Sequence, residues 1–273
     1  MDKLEIIRSA KNFIEQLSDN HISPEAAITK KNTAFKLFDP PIFAFGSAAD
    51  NNFLRLKLPE AVGEHFMLPS EWLPSANSVI SFFLPFTKEV RTSNTRDMKW
   101  PSEEWLHARI EGQAVVTKLC QHLASELTRA GFPSLVPSLD ERFWSSTNSS
   151  ERPGAFTSNW SERHVAFVCG LGTFGLSKGL ITRKGIAGRF GSIVTELQLE
   201  PDIRDYTDLY EYCTMCGKCS ENCPVNAICI GIGKDHNICS DFLDETKVRH
   251  ITRYACGKCQ VAVPCEVRIP KSV

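Results

Sequence analysis

The sequence predicts an α/β domain over residues 1–205 followed by a small cysteine-built module over 206–273. Three observations carry this reading. Apolar residues recur at helical spacing over 3–18 and 103–130, and a continuous apolar run at 77–86 has strand character. Nine of the eleven cysteines fall between Cys213 and Cys265, leaving only Cys120 and Cys169 before them. Forty-two per cent of the 273 residues are hydrophobic, enough for a sizeable buried core.

Leu4, Ile7, Phe13, Ile14 and Leu17 lie near one face of the first predicted helix. Residues 77–86 (Asn-Ser-Val-Ile-Ser-Phe-Phe-Leu-Pro-Phe) read as a buried strand ending at Pro85. Over 103–130, Ile110, Ala114, Leu119, Leu123 and Leu127 repeat, and Gly131 with Pro133 forms a stop signal. Residues 145–159 are rich in Ser, Asn, Thr, Gly and Pro, which predicts a surface loop. A second strand is expected at 192–199. Strands mixed with a long helix indicate layered α/β architecture.

With 31 basic and 32 acidic residues the net charge is −1, so no bulk attraction to nucleic acid or an anionic membrane is expected. No basic n-region or twin arginine opens the chain, and its apolar runs are shorter than a membrane span. The expectation is a soluble, cytoplasmic protein. An odd number of cysteines without a signal peptide argues against a disulfide framework, and clustered thiols in a reducing compartment point to metal.

Cys213-x2-Cys216-x2-Cys219-x3-Cys223-Pro224 resembles the run of bacterial ferredoxins. Two-residue spacers let one tight loop wrap three thiolates round an iron–sulfide cube, while the fourth cysteine is carried toward a second cube. Pro224 suits the first turn of a helix. Crossed ligation, as in two-cluster ferredoxins, implies Cys213, Cys216, Cys219 and Cys265 for one [4Fe–4S] cluster and Cys223, Cys239, Cys256 and Cys259 for the other. Cys229 reads as a buried apolar thiol. The alternative is zinc held by the two Cys-x2-Cys pairs, which leaves the remaining cysteines idle.

Gly170-Leu-Gly172-Thr-Phe-Gly175 fits a dinucleotide fingerprint, with His164–Cys169 as the preceding strand and Glu196 placed as the ribose-binding acid. Gly179, Gly185 and Gly188 follow where a helix should open, so a set of tight turns is the competing reading. Trp160-Ser-Glu162-Arg163-His-Val-Ala, the Gly170–Gly175 run, Gly179-Leu-Ile-Thr182 and Arg189-Phe-Gly191 together resemble the segment that precedes the clusters in epoxyqueuosine reductases and reductive dehalogenases. The resemblance covers about residues 75–269. It implies a nitroreductase-like domain that binds cobalamin, with Gly170, Gly172, Gly175, Gly179 and Arg189 as cofactor contacts and the clusters delivering electrons to cobalt.

The last cysteine group, C-x2-C-x5-C with Pro264 before Cys265, departs from the family pattern, and no residues remain for a helical-repeat domain. The stretch matching the family's proton-donating acid is Ala155-Phe-Thr-Ser158, which holds no acid, and Asp140 is the nearest upstream acid on a comparable strand end, across an apparent insertion. An ordinary surface turn also accounts for Asp140. His107 and His122 are expected on a solvated helix face. Trp100, Trp105, Phe143 and Trp144 are read as core or as walls for a flat cofactor. Arg183, Lys184 and Arg189 form a basic stretch, read as a solvated face or an anion contact. The function expected is a corrinoid-dependent reductase acting on a small or unidentified substrate, fed by ferredoxin or flavodoxin. The alternative is an electron carrier or reductive activator serving a partner.

Overall fold

A computed structural model describes residues 1–30, 34–146, 156–251 and 253–271. In chain order the elements are α1 (Lys3–Gln16), β1 (Ile42–Ser47), α2 (Asn51–Arg55), α3 (Pro69–Trp72), β2 (Ser78–Pro85), α4 (Lys88–Ser93), α5 (Glu103–Arg129), β3 (Ser134–Leu135), β4 (Ser145–Ser146) and β5 (Thr157–Ser158). There follow α6 (Glu162–Cys169), β6 (Gly172–Phe174), β7 (Leu180–Thr182), β8 (Gly188–Thr195), α7 (Lys218–Glu221), β9 (Ile228–Cys229), β10 (Gly233–Lys234) and α8 (His236–Arg249).

The two expected long helices form with their ends chemically marked. Asp2 and Glu5 make a reciprocal capping box at the start of α1, each bond 2.8 Å, an arrangement worth about 1 kcal/mol. Ser102 accepts from Trp105 N at 3.1 Å to open α5, whose first turn carries Glu103 and Glu104 and whose last carries Arg129. β2 lies inside a four-stranded antiparallel sheet ordered β1-β2-β8-β3, which explains why all its residues are buried. Its alternation sorts two cores: Ile80, Phe82 and Leu84 pack with α1 and α5, while Val79 and Phe83 pack with α6.

β8 corrects the expected 192–199 strand. It starts at Gly188 because Gly188 and Arg189 pair with Pro85 and Leu84, and Leu197 and Leu199 are buried beyond its end. His164–Cys169, a strand in the dinucleotide reading, belongs to α6. His107 is fully buried instead of solvated: its Nε2 accepts from Ile28 N at 3.2 Å and its Nδ1 lies 2.9 Å from Glu111. Much of the expected 145–159 loop, residues 147–155, lies outside the described residues, including Ala155. The flanking β4 and β5 pair with each other. Among the described residues no helix is long and apolar enough to cross a membrane.

The cysteine-rich segment is sewn to the sheet. Phe174 N donates to Leu209 O at 2.8 Å, Tyr212 N to Thr173 Oγ1 at 2.9 Å, and Ile186 N to Cys265 O at 2.9 Å. Arg91 pairs with Glu266 at 2.6 Å, and Arg253 holds Glu111 through both carboxylate oxygens.

Candidate iron–sulfur sites and their surroundings

Cys213, Cys216, Cys219 and Cys265 line one concavity, together with Gly175, Ile181, Ile186 and Val263. The Cys213–Cys219 loop turns tightly because Met215 and Gly217 adopt positive φ, 49° and 76°. Cys265 arrives from the far end of the chain, fixed by the Ile186 N–H on its carbonyl. An apolar floor of Ile181, Ile186 and Val263 lies beneath. Cys216 is exposed, so this site has one wet edge.

The remaining four predicted ligands gather beside it. Cys239 sits in α8, whose N-terminus Asp235 caps through Asn237 N and Ile238 N. Cys223 Sγ accepts from Ala227 N at 3.2 Å. Cys259 is raised in pKa by burial, and the charges of Cys239 and Cys223 add to the rise. Cys256 is pushed up to about 12, again by burial first, with Cys259 and Cys239 contributing. The two sites adjoin, since Cys259 also acts on Cys219, which burial raises to about 11. Cys265 rises to about 12 for the same reason, with Cys213, Cys219 and Cys216 adding. Such thiols hold their protons in the bare chain, and only cationic iron draws them into thiolate form. The donor set therefore fits iron–sulfur clusters.

Trp105 and Lys258 mount the Cys256–Cys259 loop on the α/β domain. Gly257, at φ +72°, lies flat on the Trp105 indole, and any side-chain atom there would overlap the ring. Lys258 is fully buried, and its Nζ donates to Asn94 O at 2.7 Å and Asn94 Oδ1 at 2.9 Å. Asn94 Nδ2 donates in turn to Cys256 O at 2.9 Å. Trp105 is thus core; Trp100 stacks on Phe242 under Arg249. Lys234 acts electrostatically on Cys259 and Cys239, and Arg163 on Cys259, which places two cations near the second site.

Three other cysteines lie outside both groups. Cys120 and Cys169 are buried. Cys229 is exposed, contrary to the buried thiol expected, because β9 pairs only with β10 and no layer covers it.

The glycine-rich segment forms no strand–turn–helix. Gly170, at φ +107°, terminates α6, and the following glycines build the β6–β7 hairpin. A Cβ at Gly172 would collide with the Ile181 carbonyl, and one at Gly179 would lie 2.6 Å from Ile186 Cδ1. Gly172 and Gly179 pack closely on their own chain, while Gly175 borders the first cysteine site. Arg189 extends from β8 toward α5 and donates to Gln113. Arg183 pairs with Asp205 at 3.2 Å.

Asp140 is held by Arg142, with contacts of 2.7 and 2.8 Å, and Arg142 is itself fixed on the Glu71 and Trp72 carbonyls. The hydrogen bond from Arg142 lowers its pKa, so it carries no proton to give at neutral pH. Glu162 behaves oppositely. It opens α6 half-buried with its Oε1 out of solvent, and desolvation raises it to about 7 although Ser192 donates to it at 2.7 Å. Sequence reasoning quoted Glu162 only as part of a motif.

Residues 206–231 match the 4Fe–4S binding domain. Over 65 residues the chain is 38% identical to tetrachloroethene reductive dehalogenases of Desulfitobacterium hafniense and Dehalobacter restrictus, a match covering 23% of this chain and 12% of theirs. An epoxyqueuosine reductase solved with a tRNA-Tyr stem loop superimposes with TM-score 0.57 at 18% identity, covering 97% of this chain and 65% of that one. The Streptococcus thermophilus epoxyqueuosine reductase gives 0.54 at 17%, covering 99% and 68%. A reductive dehalogenase whose structure suggested a mechanism for B12-dependent dehalogenation gives 0.54 at 14%, covering 84% and 30%. The chain thus spans about an eighth of its sequence-matched relatives and just under two thirds of the RNA-bound structure. The chain has the fold shared by epoxyqueuosine reductases and reductive dehalogenases, and residues 206–231 within it match a 4Fe–4S binding domain.

Proposed function

We propose that this chain is an iron–sulfur oxidoreductase carrying two [4Fe–4S] clusters, with Cys213, Cys216, Cys219 and Cys265 on one and Cys223, Cys239, Cys256 and Cys259 on the other. The observation that carries this is the convergence of four thiols, three within 213–219 and the fourth 46 residues further on at 265, on one concavity. The division into residues 1–205 and 206–273 belongs to the same reading. When bound, the clusters supply one-electron reduction.

The chain's own residues arrange the route. Exposed Cys216 and Met215 mark the edge where a low-potential donor such as a ferredoxin or flavodoxin reaches the first site. Cys219 and Cys259 bring the two sites together. Lys234 and Arg163 place positive charge at the second, which favours holding an added electron there. Trp105, Asn94 and Lys258 press that site against the α/β domain, toward which electrons are delivered.

A corrinoid-dependent reductase with a nitroreductase-like domain is the second reading, supported by the likeness to the B12-dependent dehalogenase. The glycines of 170–179 offer no cradle for that group, so none of the route above runs through it.

Anaerobically reconstituted protein should bind about eight iron and eight sulfide, and the dithionite-reduced form should show two interacting paramagnets by EPR. A single four-iron signal with tightly held zinc would overturn the two-cluster reading. Corrinoid absorption bands retained after gel filtration with cobalamin would support the reductase, and their absence the carrier.

A further inference from the structure

Arg189 on β8 and Arg109 on α5 lie 80 residues apart in sequence and side by side in the fold. The Arg189 stem crosses α5 at Gly112, where a Cβ would lie 3.8 Å from Arg189 Cδ and 3.0 Å from Phe38. A larger residue at 112 would push the guanidinium away. Arg189 then donates to Gln113, one residue along the same helix. Arg109 donates to the Tyr254 hydroxyl at 2.9 Å, with its guanidinium carbon 4.8 Å from the ring centroid.

Charge is unbalanced here. Glu111, the carboxylate nearest along α5, is committed to Arg253 and His107. Among the described residues neither Arg109 nor Arg189 forms an ion pair. Two guanidiniums that use one acceptor each leave most of their N–H donors free. Burial, with Arg109 adding repulsion, lowers Arg189 to about 9, which still keeps it charged at neutral pH. Tyr254 stands two residues before Cys256, so the pair lies against the second cysteine site. Neighbouring, unpaired, partly desolvated guanidiniums are a receptor for an oxyanion.

We propose that Arg109 and Arg189, with Gln113 and Tyr254 as their positioning residues, form a binding site for the oxyanion group of a small ligand, a phosphate or a carboxylate, next to the second cluster. The site places an anionic molecule where electrons leave the module. This rests on the electron-transfer reading only for its purpose; the binding itself does not depend on it.

The test is calorimetric titration of the anaerobic holoprotein at low ionic strength with inorganic phosphate and, separately, acetate, with chloride as control. One saturable site for phosphate or acetate is expected, and the tighter of the two identifies the group. Arg189→Gln and Arg109→Gln should each weaken it by about tenfold or more, with iron content unchanged. Should Arg189→Gln fail to fold, Arg109→Gln and Arg109→Lys carry the test alone, lysine retaining part of the affinity. No saturable binding of either oxyanion, equal binding of chloride, or wild-type affinity in the variants that fold overturns the proposal. Two clusters present without oxyanion binding would sink this site alone; oxyanion binding with one cluster or none would sink only the function proposed above.

Discussion

Replacing Glu162 with Gln tests how the α6 face of the sheet manages a half-buried acid. Ser192 Oγ donates to Glu162 Oε2 at 2.7 Å and itself accepts from Trp160 Nε1 at 2.9 Å. Among the described residues Glu162 Oε1 has no hydrogen-bond partner, nor does Ser81 Oγ, on the residue opposite Ser192 across the β2–β8 ladder. Burial therefore dominates and lifts the carboxyl from 4.5 to about 7. At about 1.4 kcal/mol per unit, that difference disfavours the ionised form in the fold by about 3 kcal/mol. Because the folded pKa is raised, the native state binds more protons than the unfolded chain between roughly pH 4.5 and 7. Stability is then greatest below the unfolded pKa and falls as pH rises through that window. Infrared difference spectra between wild type and Glu162→Gln should show a protonated-carboxyl band at pH 5 that fades with a midpoint near 7. A midpoint in the ordinary carboxylate range would show that solvent reaches Oε1 and refute the desolvation argument.

Serine at Cys229 should leave iron and sulfide content unchanged, whereas serine at Cys259 or Cys265 should each remove one cluster's share; equal iron in all three would undo the ligand assignment. Gly257→Ala should abolish the second cluster's EPR signal while sparing the first, because the added methyl meets Trp105 and the backbone sits at φ +72°. Asp140→Asn should change stability by about 1 kcal/mol or less and leave electron transfer intact, as expected for a partly exposed ion pair. A large loss of cluster reduction or turnover in that variant would restore Asp140 as a chemical group.

The sequence disclosed what repeats or clusters locally. α1, α5 and β2 were legible because their apolar periods run longer than chance allows, and the cysteine spacing picked out candidate ligands once a ferredoxin pattern was recognised. The short apolar stretch Val165–Val168 fits a strand or a helix equally, and only packing of α6 against β1, β2 and β8 decides it. His107 looked solvated because its burial depends on Ile28, far along the chain. Cys229 looked buried because it lies among isoleucines, yet Ile230 and Ile232 are themselves exposed, at 60% and 85%. Glu162 and the Arg109–Arg189 pair carried no local signal: an acid in a first helical turn usually faces water, and two arginines meet only when β8 is laid on α5.

The two cysteine sites differ in what holds them, and the difference sets how the parts depend on each other. The first is built by the module's own loop and Cys265 against the β6–β7 hairpin, Ile181 and Ile186 of the α/β domain, with Val263 completing the apolar floor. The second is clamped by groups from the α/β domain: the Trp105 face under Gly257, and Asn94 bonded to both Cys256 O and Lys258. Lys258 makes this clamp stringent. A fully buried ammonium without its acceptors costs several kcal/mol, so the loop cannot close until the Asn94 end of α4 is in place. On the two-cluster reading proposed above, cluster loading at the second site is therefore coupled to seating of the Cys256–Cys259 loop on Trp105 and Asn94.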